Sequence, residues 1–165
     1  MLLEAILPQH PGLVVSSWKV EDKKVKVCLR SSRCSSICPS CGSVSERVHS
    51  RYVRSITDLP LCGHSLVYEI EVRRFFCEGR DCKHDIFCER LGEIANRYGR
   101  RTKRLDELLV QLGLLFSAEV GAKFVGISKV ELSPDTLLRL ARKGFAPDEK
   151  RTPMFAISAW TTGPF

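Results

Sequence analysis

The sequence predicts an α+β fold, in which a small β-rich domain organised by four cysteines is followed by a helical domain. Three observations carry this. Residues 13–30 and 65–76 alternate apolar and polar side chains with the period of two that marks half-buried strands. Residues 102–144 switch to the i, i+3, i+4 spacing of amphipathic helices. Two cysteine pairs, Cys38 with Cys41 in CPSCG and Cys77 with Cys82 in FFCEGRDCKHDIF, each place two thiols on one tight turn. The resulting division is an N-terminal β-hairpin region (1–30), a cysteine-organised domain (31–90), a helical domain (91–148) and a C-terminal tail (149–165).

The first hairpin puts Val25, Val27 and Leu29 on one face and Lys24 and Lys26 on the other, with a turn near Glu21 to Lys23. The cysteine pairs come next. A four-sulfur tetrahedral site needs two such turns facing each other, which is the donor set of structural zinc. In the first, Pro39 sets the turn, and Gly42 can take the positive φ that brings backbone amides toward the sulfurs. In the second, Gly79 and Asp81 are the turn formers. The interval between the pairs is longer than familiar finger spacings, so it must hold structure of its own. Its segment 65–76 runs directly into Cys77 as a strand. Four cysteines leave no coordination position open for water, so such a metal is structural rather than hydrolytic. It would contribute on the order of 10 kcal/mol to folding.

The other thiols and imidazoles rank below this quartet. Cys28, Cys62 and Cys88 read as small buried or half-buried side chains, while Cys34, His49, His64 and His84 are the alternative ligands. Disulfides are disfavoured, because MLLEAILPQHPG has no basic lead and its apolar run is broken at Glu4 and Pro8, unlike a signal peptide. Asp58, in DLP, reads as a turn former rather than a metal ligand.

The net charge of +7 favours an anionic partner, and nucleic acid is the commonest one inside a cell. No apolar stretch approaches the roughly 20 residues that span a bilayer, so no membrane association is expected. The basic residues concentrate at Arg90, Arg97, Arg100, Arg101, Lys103 and Arg104, with Glu93 as the one acid among them.

Three helices are expected. Residues 102–115 carry Leu105, Leu108, Leu109 and Leu112 on one face. A second begins at Ser117 as N-cap, with Val120, Phe124 and Val125 as an apolar stripe and Gly121 permitting close approach of a neighbouring helix. The third has Ser133 at the N-cap, Pro134 in the first turn, Arg142 and Lys143 in the last and Gly144 beyond. Two short helices joined by the turn GISKVEL and ending on a basic helix have the pattern of a helix-turn-helix, whose second helix enters the DNA major groove. Asp135, Thr136 and Arg139 would face the groove, opposite Leu137, Leu138 and Ala141. A plain three-helix bundle with a solvated basic face fits the pattern equally. An RNA-binding zinc ribbon would need Tyr52, Phe75 and Phe76 exposed for stacking, although VRRFFC more simply places alternate residues in a core.

The paired cysteines, HSRY (49–52), DLP (58–60), VRRFFC (72–77), IFCERL (86–91), RRT (100–102) and SPDTLLR (133–139) together resemble the N-terminal part of bacterial insertion-sequence transposases of the ISL-three type, over roughly residues 1–148. The resemblance implies a zinc-binding domain and a helix-turn-helix that together recognise terminal inverted repeats. It implies Cys38, Cys41, Cys77 and Cys82 as zinc ligands. Duplex DNA at transposon ends is the implied partner, with another copy or a full-length transposase as a further one, in the bacterial cytoplasm at the nucleoid. The expected DNA contacts are Arg97, Arg100, Arg101, Lys103 and Arg104 in the basic segment, and Asp135, Thr136, Arg139 and Arg142 on the last helix. The family also implies a downstream nuclease domain with clustered carboxylates on two metals. After EKRTP this chain reads MFAISAWTTGPF, which departs from that pattern as an out-of-frame or replaced tail would. The expected product is then a DNA-binding fragment without cutting activity, or the first part of an enzyme completed by frameshifting.

Overall fold

The structure is a computed structural model and describes residues 12–92, 94–127 and 130–144. The tail at 149–165, the start of the 1–30 region, Glu93, and Ser128 and Lys129 of the turn GISKVEL lie outside the described residues. Among the described residues, seven strands and three helices follow in order. The strands are β1 (Leu13–Glu21), β2 (Lys24–Ser31), β3 (Ser36–Ile37), β4 (Val44–Ser45), β5 (Val48–Leu61), β6 (His64–Phe76) and β7 (Ile86–Cys88). The helices are α1 (Lys103–Leu115), α2 (Ala118–Ile127) and α3 (Pro134–Gly144).

The main sheet runs β1-β2-β6-β5, with β7 also paired to β6. All its pairings are antiparallel except β2 with β6, which runs parallel from Lys24↔Ser65 to Arg30↔Glu71. Two tight turns close the hairpins. Asp22 and Lys23 join β1 to β2, and Cys62 and Gly63 join β5 to β6; all four residues have positive φ, as two-residue hairpin loops require.

The period-two pattern places Val25, Val27, Leu29, Leu66, Tyr68, Ile70 and Val72 on one sheet face, where they are buried with Ile56 beneath Leu91, Ile94 and Ala95. Most of β5 escapes sequence detection, since its inward positions include Ser50 and Arg54 as well as Ile56 and Asp58. Its partner β6 supplies the apolar surface that defines the strand.

The helices have their own core. Leu105, Leu109, Leu112, Val125, Val130 and Leu137 pack together, with Leu59 of β5 against them. Each helix is capped as its sequence requires: the Thr102 hydroxyl accepts from the Leu105 amide, Ser117 from Val120 and Ser133 from Thr136. Gly121 sits against Leu137, where a Cβ would come within 2.5 Å of the leucine Cδ2, so the expected close helix approach is present. The expected apolar stripes are narrower than their sequences suggest. Leu108, Val120, Phe124 and Leu138 face outward, because two short helices cover only part of α1 and the α2 and α3 faces turned inward are those of Val125 and Leu137.

Asp58 corrects another expectation. It lies within β5, fully buried, and forms no turn. Its carboxylate accepts from Thr102 Oγ1 at 2.6 Å and from Arg104 Nε at 2.6 Å, with a second bond from the Arg104 guanidinium. Burial would raise its pKa, but Arg104 and Thr102 outweigh that and hold the carboxyl below the usual range. One threonine therefore caps α1 and binds the sheet at once. Around it, the Thr57 amide donates to the Arg100 carbonyl and the Thr102 amide to the Thr57 carbonyl, so the backbone entering α1 is stitched to β5.

Candidate metal centre and nucleic-acid interface

The short β3–β4 hairpin presents Cys38 and Cys41 on one turn. The Cys38 amide donates to the Ser43 carbonyl at 2.8 Å, the Gly42 amide donates to the Cys38 carbonyl at 2.9 Å, and Gly42 takes a φ of 76°. The β6–β7 hairpin presents the second pair, with the Cys77 amide donating to the Asp85 carbonyl and the Cys82 amide to the Gly79 carbonyl. Phe75 and Phe87 stack beneath the buried Cys38, with Val48 alongside. A Cβ at Gly79 would lie 2.8 Å from the Cys41 sulfur, so only glycine lets the second turn close on the first.

The four sulfurs lie within 4.8 Å of one another, and they are the one group of three or more potential metal ligands among the described residues. Cys38 and Cys82 are 3.8 Å apart and Cys41 and Cys77 3.5 Å. A tetrahedron with zinc–sulfur bonds of 2.3 Å has edges of about 3.8 Å, so the cluster fits structural zinc. The electrostatics agree. Amides of Cys41 and Ser40 lower the Cys38 thiol, and the Ser43 hydroxyl and amide bring Cys41 down to about 6. At Cys82 the His84 amide favours the thiolate, but burial and the neighbouring sulfurs outweigh it and push the thiol up to about 12. Four thiolates at this spacing need a cation among them.

Cys34, His49, His64 and His84 stand outside the cluster. Cys28 is half-buried and donates to Glu69, whereas Cys62 and Cys88 are exposed, contrary to expectation. Cys62 sits at the tip of a hairpin turn, and Cys88 ends a short edge strand; neither place offers a core to enter.

The basic segment is divided by the fold. Arg104 is engaged by Asp58, and Arg101 pairs with Asp106 at 2.7 Å, while Arg97, Arg100 and Lys103 are exposed. Arg97 and Lys103 border a cleft beside the Cys38 turn; Arg100 and Arg101 border another, on the side of Asp22 and Lys24. On α3, Asp135, Arg139 and Arg142 are exposed and Leu137 and Ala141 are buried. Thr136 lies at the flank and bonds to Ser133, so it shares only the edge of that face. Sequence reasoning did not single out Arg54 and Arg74, which line the first cleft. Their signal was the alternation of HSRYVRSI, masked by its polar inward positions.

Residues 35–82 match the family model described as the zinc-finger of transposase IS204/IS1001/IS1096/IS1165. The chain is also 30% identical over 117 residues to the transposase for insertion sequence element IS1001 of Bordetella parapertussis, an alignment that covers 71% of this chain and 25% of that protein. It thus spans about a quarter of the length of the relative it matches. No solved structure matches the chain. The matched zinc finger folds around a four-sulfur cluster and the identity extends through most of the sequence, so residues 35–82 carry the zinc ribbon of ISL3-type insertion-sequence transposases and the chain is similar to such a transposase over 117 residues.

Proposed function

We propose that this chain binds duplex DNA at the terminal inverted repeats of a transposon, as the DNA-reading portion of a transposase. Residues 31–90 act as the zinc-binding domain, with Cys38, Cys41, Cys77 and Cys82 as ligands, and residues 91–148 as the helical DNA-binding domain. In this reading α2 and α3 form a helix-turn-helix, α3 enters the major groove, and zinc holds the fold without taking part in strand cutting. The observation that carries the reading is the polarity of α3. Asp135, Arg139 and Arg142 share its solvent face, while Leu137 and Ala141 hold the opposite edge in the helical core.

Arginine on such a face reads guanine by paired hydrogen bonds to O6 and N7, each good pair being worth about 1–3 kcal/mol of discrimination. Arg97, Arg100 and Lys103 then supply phosphate contacts, and Arg104 contributes indirectly by fixing the start of α1 to the sheet. The test is metal analysis of the purified chain combined with a gel shift on the element's flanking repeat and on a scrambled duplex. One zinc per chain and preference for the repeat are expected. Arg139→Ala should relax that preference at one or two base pairs while general affinity persists; uniform loss on both duplexes would reassign Arg139 to the backbone.

A further inference from the structure

The cleft beside the Cys38 turn holds more than the reading above uses. Arg54, Arg74 and Arg90 line it together with Arg97 and Lys103, and Tyr98 stands at its rim. The carboxylate among its described lining residues, Glu89, is already taken. It is paired with Arg73 at 2.8 Å, with both side chains nearly buried. The cleft is therefore cationic without internal compensation from that group.

Its arginines are held in place by contacts that leave donors to spare. Arg54 gives one N–H to the Gly99 carbonyl at 2.7 Å, and Arg74 lies over the Tyr52 ring at 4.8 Å. A guanidinium has five N–H donors, so each retains a free edge for an anion. Tyr98 is held at a φ of 63°, in the left-handed region that a tyrosine avoids, yet is 80% exposed. The Arg97 guanidinium lies over one face of the ring at 4.9 Å, and the other face stays open to solvent.

We infer that this cleft is a track for the sugar–phosphate backbone of duplex DNA, distinct from the groove-reading face of α3, with Arg54, Arg74 and Arg90 as phosphate ligands and Tyr98 packed against the sugar. The inference rests on the DNA-binding reading above and adds a second surface to it. A single strand is the poorer match, because strand-binding clefts line up several open aromatic rings for base stacking. Here Tyr52 is covered by Arg74 and Tyr98 carries Arg97 over one ring face at 4.9 Å, so the cleft presents no row of open rings.

The experiment is a fluorescence-anisotropy titration of the full, zinc-loaded chain with a labelled random-sequence duplex over a range of salt concentrations. Each phosphate contact contributes about 0.9 to the slope of log affinity against log salt. Arg74→Gln combined with Arg90→Gln should lower that slope by about 1.8, with zinc content and thermal unfolding unchanged; Arg90→Gln with Tyr98→Ala, which leaves Arg74 over Tyr52, guards against misfolding of the first variant and should lower it by about 0.9. An unchanged slope in a folded variant overturns the track while leaving DNA binding by α3 standing. Equal or tighter binding of the single-stranded form overturns the choice of duplex. Failure of the unmodified chain to bind any duplex would sink the DNA-binding reading itself.

Discussion

The Asp58 carboxylate is the residue on which the junction between sheet and helices depends. It is fully buried, and Arg104, about one-third exposed, is its counter-ion. Removing one member of such a pair costs about 3–5 kcal/mol when the other charge stays buried, so Arg104→Ala should destabilise the protein by about 3 kcal/mol at neutral pH. The pH dependence has a definite sign. The folded-state pKa of Asp58 is depressed, so its contribution is present above its unfolded value near 4 and is lost as pH falls through the folded value. In the Arg104→Ala protein, burial without a counter-ion raises that pKa instead. The gap between the two proteins in urea unfolding should therefore narrow as pH falls from the raised pKa of the variant, above about 4, toward the depressed one of the unmodified protein; a gap independent of pH would show that the carboxylate is not what Arg104 serves. None of this was legible in DLP and RRTKR, because the ion pair joins residues distant in sequence, and no local pattern reports which arginine turns inward.

At the scale of elements, what could be read was what local chemistry dictates. Ser117 and Ser133 cap their helices, the alternation of β2 and β6 selects their buried faces, and both cysteine turns close as their Gly and Pro residues require. The long strand β5 was missed because Ser50, Arg54 and Asp58 interrupt its inward apolar positions, and the parallel alignment of β2 with β6 is a non-local choice without a sequence signature. The two glycines of α2 show how packing divides a common residue type. At Gly121 a Cβ would strike Leu137, which is fully buried, whereas at Gly126 it would meet open space. Alanine favours a helix over glycine by about 1 kcal/mol, while overpacking a core costs about 1–3 kcal/mol. Gly126→Ala should raise stability by up to about 1 kcal/mol, and Gly121→Ala should lower it by a similar amount. Thermal melts of the two variants moving in the same direction would contradict the packing of α2 on α3.

For the whole molecule, the place of zinc in the stability differs from what a small finger would require. The core around Val27, Ile56, Tyr68 and Ile70 is closed without any sulfur, and the cysteines belong to a separate cluster with Phe75 and Phe87. Chelation should unravel the Cys38 and Cys77 turns while the sheet survives. Hydrogen exchange would then speed up at Cys77 and Phe87 and stay slow at Val27 and Ile70, whereas complete unfolding would show that the sheet depends on the metal. The hairpin of β5 and β6 gives this arrangement a further meaning. Its cysteine end is at Phe76, and its helix-bearing end is at the Asp58↔Leu66 pair. The ten residue steps from Leu66 to Phe76 extend about 33 Å, so the hairpin sets the distance between the metal centre and the junction with the helices. Removing two facing residues from each strand would preserve its inward and outward faces but bring the two ends about 7 Å closer together.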